Sequence, residues 1–203
     1  MPLFPIFINL EGRRVLIAGG GHVALRKAER LSPYGADIFA VAPEFIPGFA
    51  GIPGVTLLER RFEPGDIDGA ALVIAATDDP ELNAAVSELC RWENVPVNVV
   101  DDIEKCSFVF PSLVRRGELS VGISTGGASP SAAQYVRRGV EQLVPEGFEG
   151  ILDFLSAHRA EVKAALPPER RAAAFAALFE RCLERGGPLS EAELAAFLGG
   201  DGQ

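Results

Sequence analysis

Apolar residues along the first half of the chain come in short runs, separated by polar and glycine-containing breaks. Arg14-Val15-Leu16-Ile17-Ala18 has the composition of a buried strand and stops at Gly19-Gly20-Gly21. From Val23 to Leu31 the spacing turns helical, with Ala24, Ala28 and Leu31 on one face, and Gly35 ends the segment. Further strands are predicted at Asp37 to Ala42, Val55 to Leu58, Ala70 to Ala76 and Pro96 to Val100. A helix is predicted from Glu81 to Trp92, behind the break Thr77-Asp78-Asp79-Pro80. Strands alternating with helices imply βαβ units and a parallel sheet.

The texture changes twice beyond this region. Around 107–150, Phe108-Val109-Phe110-Pro111 leads into a strand, a turn at Arg116-Gly117 and a second strand ending near Ser124. A loop at Thr125-Gly126-Gly127-Ala128 follows. Ser129 then caps a helix whose first residue is Pro130 and which runs to about Leu143. From Glu149 the chain is rich in Ala, Leu and Arg and reads as about three helices, broken at Pro167-Pro168 and Gly186-Gly187-Pro188. The last residues, Gly199 to Gln203, are expected to be loose. No internal repeat is visible.

Composition narrows the classes. The 203 residues are 48% hydrophobic, enough for a real core, and the net charge of −9 argues against nucleic acid as the main partner. It leaves room for an anionic small molecule held by a local basic patch. No apolar run reaches membrane-spanning length, and the first residues lack the basic segment of a signal peptide. Cys90, Cys106 and Cys182 are odd in number and widely spaced, which suggests neither a disulfide framework nor a zinc site. A soluble, cytoplasmic protein is expected.

Gly19-Gly20-Gly21-His22-Val23-Ala24 fits G-x-G-x-x-A, directly after a strand and before a helix. Gly19 permits the tight turn, Gly21 lets backbone approach a pyrophosphate, and Ala24 lets helix and strand pack closely. The helix start, with His22 and Val23, offers free amides to phosphate. In this context a nicotinamide dinucleotide is the expected ligand. His22 reads as a turn residue beside the phosphates, without catalytic work. The ribose-binding acid should end the second strand, which here finishes Val41-Ala42-Pro43-Glu44, so Glu44 comes about two residues late. No arginine follows at once to favour a 2′-phosphate, so NAD is expected over NADP.

Two further groups fall at the carboxyl ends of strands, where ligands of open α/β sheets bind. Thr77 is a candidate cofactor contact, and Asp79 or Asp78 a candidate helix cap. Asn98-Val99-Val100-Asp101-Asp102 ends the fifth strand; a carboxylate there can take a proton while hydride leaves. The residues themselves do not choose between Asp101 and Asp102, and strand alternation puts Asn98 on the face of Val100. Ser124-Thr125-Gly126-Gly127-Ala128-Ser129-Pro130 gathers hydroxyls, loop amides and a helix start suited to an anion such as a carboxylate. Arg115, Arg116, Arg137 and Arg138 bracket it, although any one of them is better read as part of a solvated face. His158 reads as an ordinary surface residue, and Cys106 has no histidine near it in sequence to make it a nucleophile.

Taken in order, these motifs, with Leu3 to Phe7, Leu25-Arg26-Lys27 and Ser107-Phe108-Val109-Phe110-Pro111, resemble the precorrin-2 dehydrogenase family, also the N-terminal part of sirohaem synthase. The resemblance covers roughly residues 3–145; the C-terminal helices share only general character with the family. It implies a Rossmann-like α/β domain at 1–113, a small α+β dimerisation and substrate-binding region at 114–148, and a C-terminal helical domain at 149–203. It also implies that NAD accepts hydride from precorrin-2, a reduced tetrapyrrole bearing eight carboxylates, to give sirohydrochlorin. Asp101 is then the catalytic aspartate, and Asn98, Ser124, Thr125 and Gly126 contact the substrate. Gly19, Gly21, His22, Val23, Pro43, Glu44 and Thr77 are the cofactor contacts. The family is homodimeric, and some members also insert ferrous iron through the same aspartate. Threonine stands at 125 where some relatives carry a phosphorylatable serine, and the resemblance implies the form without a methyltransferase domain. A competing reading is a non-catalytic NAD(H)-sensing module, which would need the glycine turn but neither Asp101 nor the Thr125 loop.

Overall fold

A computed structural model describes residues 3–200. They divide into two compact units, one of Phe4–Phe110 and one of the residues from Pro111 on together with Leu3. The first unit is built on five parallel strands in the order β3-β2-β1-β4-β5: β1 Arg14–Ala18, β2 Asp37–Ala42, β3 Val55–Glu59, β4 Leu72–Ala75 and β5 Val97–Val99. The central strands are apolar along their length because both faces are covered; Val15, Leu16, Ile17, Val73 and Ile74 are fully buried. Helix α1, His22–Leu31, lies in the β1–β2 connection and turns Ala24, Ala28 and Leu31 inward. Helix α2, Pro80–Trp92, lies in the β4–β5 connection and buries Val86 and Cys90.

The other two crossovers contain no α-helix. Residues 43–54 and 60–71 run through short 3₁₀ turns at Pro47–Gly51 and Pro64–Ile67. The first of these stretches holds Pro43, Pro47 and Pro53 and three glycines, a composition that cannot sustain helical hydrogen bonding. Phe49 and Ile67, one on each turn, plug into the core in place of a helix face.

Strand order reverses beside β1, whose neighbours are β2 and β4, so the crevice for a ligand opens beyond the carboxyl ends of β1 and β4. Ala18 pairs with Ala75, and Ala75 with Val99. That register sets the glycine turn, Thr77 and Asp101 along one sheet edge.

In the second unit, β6 (Ser112–Arg116) and β7 (Leu119–Ile123) form an antiparallel hairpin turning at Gly117, and α3 (Pro130–Leu143) packs on it. Four helices follow: α4 (Phe148–Ala157), α5 (Arg159–Ala165), α6 (Pro168–Arg185) and α7 (Glu191–Gly199). Three were expected. The extra break is at His158, which no proline or glycine announces; its ring packs on Phe154 at 4.6 Å, and its Nδ1 meets Glu161 at 3.0 Å. Ile151, Val162, Leu178, Cys182 and Leu194 give these helices their own core. Asp201 to Gln203, part of the tail expected to be loose, lie outside the described residues, whereas Gly199 closes α7.

Candidate functional site

The three glycines after β1 have three different reasons to be glycine. Gly19 has φ +133°, and a Cβ there would lie 2.3 Å from the Ala76 carbonyl oxygen. A Cβ on Gly20 would lie 2.0 Å from the Glu44 carbonyl oxygen, and the Gly20 carbonyl accepts from the Ile46 amide at 3.0 Å. Gly21 faces open space, with nothing within 4 Å of an added Cβ. Gly21 is also the N-cap of α1, and no side chain caps that end. The first-turn amides of α1, from His22 and Val23 onward, are therefore left for an anion, and no acidic residue stands in that turn to repel one. Open space beside uncapped amides fits a pyrophosphate. Gly20 escaped the sequence reading because the motif leaves that position free, yet the return of β2 through Pro43 and Glu44 requires it. The Pro43 and Glu44 side chains are exposed.

Thr77 leaves β4 half-buried with its polar atoms engaged in the loop. Its hydroxyl lies 2.8 Å from Asn83 Oδ1 and 3.1 Å from the Asp79 carbonyl oxygen, and accepts from the Asp79 amide at 3.2 Å. Asn83, buried and unflagged by the sequence, donates from Nδ2 to the Thr77 carbonyl at 3.0 Å. Asp79 caps α2 by accepting from the amides of Glu81 and Leu82 at 2.9 and 3.1 Å, while Asp78 is exposed.

The two acids after β5 have different surroundings. Asp102 caps a 3₁₀ turn, accepts from the Lys105 amide at 3.3 Å and forms an ion pair with the Lys105 ammonium. That hydrogen-bonded ammonium holds its carboxyl below the usual aspartate range. Asp101 is exposed at φ +60°, a left-handed conformation in which a non-glycine residue is strained. Its carboxylate makes no hydrogen bond or ion pair among the described residues. One acid is committed to its own loop; the other is held out by the backbone and left unengaged.

Beneath Asp101 lies a network that sequence reading found only in part. Asn98 is buried, and its Nδ2 donates to the Phe108 carbonyl at 3.1 Å. Its Oδ1 accepts from Lys27 Nζ at 3.4 Å, a residue 71 positions away in sequence. The Lys27 ammonium also sits over the Phe110 ring, 3.8 Å from the centroid. Burial, with Arg30 as the next contributor, brings the Lys27 pKa down to about 8. Cys106 Sγ accepts from the Val99 amide at 3.1 Å and lies 3.2 Å from the carbonyls of both Val99 and Asp102. Asn98 thus holds Lys27 and the 106–108 segment in place. Among the described residues no cluster of three or more His, Cys, Asp or Glu could hold a metal ion, and the three cysteines are free.

The Ser124–Ser129 loop belongs to the second unit. Thr125 Oγ1 donates to the Ser129 carbonyl at 3.1 Å and accepts from its amide at 3.3 Å, closing the loop on itself. Ser124 Oγ accepts from the Gly126 amide at 3.2 Å, and Gly126 and Gly127 both have positive φ. Ser129 caps α3 by accepting from the Ala132 amide at 3.1 Å. Ser124 and Gly126 are exposed. Arg137 pairs with Glu141 on its own helix.

A family model of NAD(P)-binding domains matches residues 6–112, more than half of the chain, and a model of the central part of sirohaem biosynthesis proteins matches residues 116–143. The chain belongs to the NAD(P)-binding family that the first model describes. It is 40% identical over 194 residues to a sirohaem synthase of Thioalkalivibrio sulfidiphilus, covering 94% of this chain and 39% of the relative. It is 44% identical over 178 residues to a sirohaem synthase of Azotobacter vinelandii, covering 86% of this chain and 38% of the relative. The chain therefore spans about two fifths of the length of these sirohaem synthases. The solved structure of SirC, a precorrin-2 dehydrogenase, superposes with a TM-score of 0.66 at 21% identity, over 87% of this chain and 89% of SirC, and shows the same fold.

Proposed function

We propose that this member of the family oxidises precorrin-2 to sirohydrochlorin with NAD, and that Asp101 is its general base. The observation that carries the reading is the unengaged Asp101 carboxylate, held at positive φ on the sheet edge that also bears the glycine turn. Gly21 and the open amides of His22 and Val23 would take the pyrophosphate, with Gly19, Pro43, Glu44 and Thr77 shaping the rest of the cofactor groove. When bound, NAD supplies the hydride acceptor. Asp101 takes the proton released as the tetrapyrrole loses its hydride, and its exposure gives that proton a way to solvent. The exposed Ser124 hydroxyl would donate to a substrate carboxylate, with Thr125 and Gly126 joining it by exchanging their hydrogen bonds within the loop, and Asn98 acts from beneath the surface through Lys27.

The proposal includes a cytoplasmic homodimer and a division of labour between 1–113 for the cofactor, 114–148 for substrate and dimer, and 149–203 as a helical domain. The exposed Tyr135, Val136 and Leu143 on α3 support the dimer; Tyr135 is 77% exposed and Leu143 81%.

The test is precorrin-2 oxidation with NAD by wild type and Asp101→Asn. Asparagine tolerates the left-handed backbone but cannot take the proton. We expect kcat to fall by about 10²–10⁴-fold with NADH affinity unchanged. Full turnover in the variant would remove Asp101 from the mechanism. A wild type that binds NADH but never turns over would favour the sensing module. Insertion of ferrous iron into sirohydrochlorin is a separate assay on the same pair.

A further inference from the structure

Lys27 is a half-buried ammonium that forms no ion pair among the described residues. Its close contacts are the Asn98 side-chain oxygen at 3.4 Å and the Phe110 ring at 3.8 Å, neither of which carries a charge. Burial acts most strongly against its charge, followed by Arg30 and then Arg26 on its own helix, while Cys106 and, more weakly, Asp101 after β5 act in its favour. Asp101 is the one carboxylate in that set, and it begins three residues beyond the amide that fixes Lys27. The contacts of Cys106 with Val99 and Asp102 grip the chain on either side of Asp101, and Asn98 Nδ2 joins the same sulfur at 3.4 Å. Lys27 is thus tied through Asn98 to the turn that forces Asp101 into its left-handed conformation.

We propose that Lys27 is a positioning residue for Asp101, whose positive charge keeps the carboxylate ionised when substrate covers it. This rests on the reading of Asp101 as the base. In the free protein Asp101 is exposed to solvent. A macrocycle laid over it excludes water, and desolvation raises a carboxylate's pKa. A fixed cation in the low-dielectric layer beneath opposes that rise. The surroundings suit the task, because an aromatic face and an amide oxygen stabilise the ammonium without neutralising it. With its pKa near 8, Lys27 is still mostly protonated at neutral pH.

Two measurements test this. The first is the pH profile of kcat in wild type, Lys27→Met and Lys27→Arg. In Lys27→Met the acid limb should move up by more than about half a pH unit, while Lys27→Arg keeps the wild-type limb. A Lys27→Met enzyme with its acid limb unmoved overturns the proposal, whatever happens to its stability. The second is the Lys27 side-chain pKa read by ¹⁵N NMR in wild type and Asp101→Asn without substrate. Coupling is reciprocal, so removing the carboxylate should lower the Lys27 value. An unchanged value overturns the proposal. The NMR arm needs no turnover and does not require Lys27→Met to fold. It therefore separates failure of this coupling from failure of precorrin-2 as substrate, which would show as an inactive wild type with the coupling intact.

Discussion

The parallel-sheet unit and the four C-terminal helices both have apolar cores, but only the sheet unit puts non-glycine residues at positive φ. Asn94 and Asp101 are the two such residues among those described. Asn94 ends α2, where a left-handed residue commonly closes a helix. Asp101 closes no helix, and its strain has to be held by the network around Asn98 and Cys106. In α4–α7 the left-handed positions are Gly147 and Gly186, which flank helices and cost little. Stability is spread over both regions, whereas the one non-glycine residue at positive φ that no helix end accounts for, among those described, follows β5 at the carboxyl edge of the sheet. That edge is where chemistry is expected.

The largest effect that sharpens this contrast is Gly19→Ala. A methyl group 2.3 Å from a backbone carbonyl, at φ +133°, should destabilise the sheet unit by about 3 kcal/mol or more and abolish NADH binding. Thermal melts and NADH titration would show it. Gly21→Asp, two residues on, should leave the melt within about 0.5 kcal/mol of wild type, because a Cβ there meets nothing within 4 Å. It should still lose NADH affinity through charge conflict with the pyrophosphate; equal losses of stability in the two variants would erase the distinction within the turn.

Leu178→Ala opens a cavity in the helical core, where Leu178 is 1% exposed, and should cost about 2–5 kcal/mol. NADH affinity should not change, and a clear loss would mean that the helices support the cofactor edge after all. The mildest loss among the variants expected to destabilise comes from Asp66→Asn in the sheet unit. Asp66 accepts from Arg60 at 2.9 Å and from the Glu63 amide at 2.8 Å, while its backbone carbonyl accepts from Arg14 at the start of β1. The Arg60 hydrogen bond holds its carboxyl below the usual aspartate range despite burial. The folded-state value lies below the unfolded one, so the stabilisation is complete above the ordinary aspartate range and is lost as pH falls through the folded-state value. Asp66→Asn should therefore cost about 1–3 kcal/mol near neutral pH, with the gap to wild type closing in acid and NADH affinity untouched. A gap that stays constant with pH would remove the charge from the explanation.

The strands of the sheet, the Asp79 and Ser129 caps and the hairpin turning at Gly117 were legible along the chain, because each rests on residues within a few positions of one another. The helix break at His158 was not, since ring packing rather than a glycine or proline makes it. The absence of α-helices in two crossovers was visible only as an unusual density of proline in the first.

The same division runs through the site. The glycine turn is written in the sequence because close backbone approach excludes every other residue at Gly19, and that demand leaves a local mark. Family likeness could point to Asp101, but the residues alone left it level with Asp102. Tertiary structure gives the two acids different surroundings: Asp102 pairs with Lys105, and Asp101 is exposed at positive φ. It also brought Lys27 to Asn98 across 71 residues of chain. A lysine on a helix looks the same in sequence whether it faces water or a buried amide; packing alone sets its surroundings, and the surroundings set its charge.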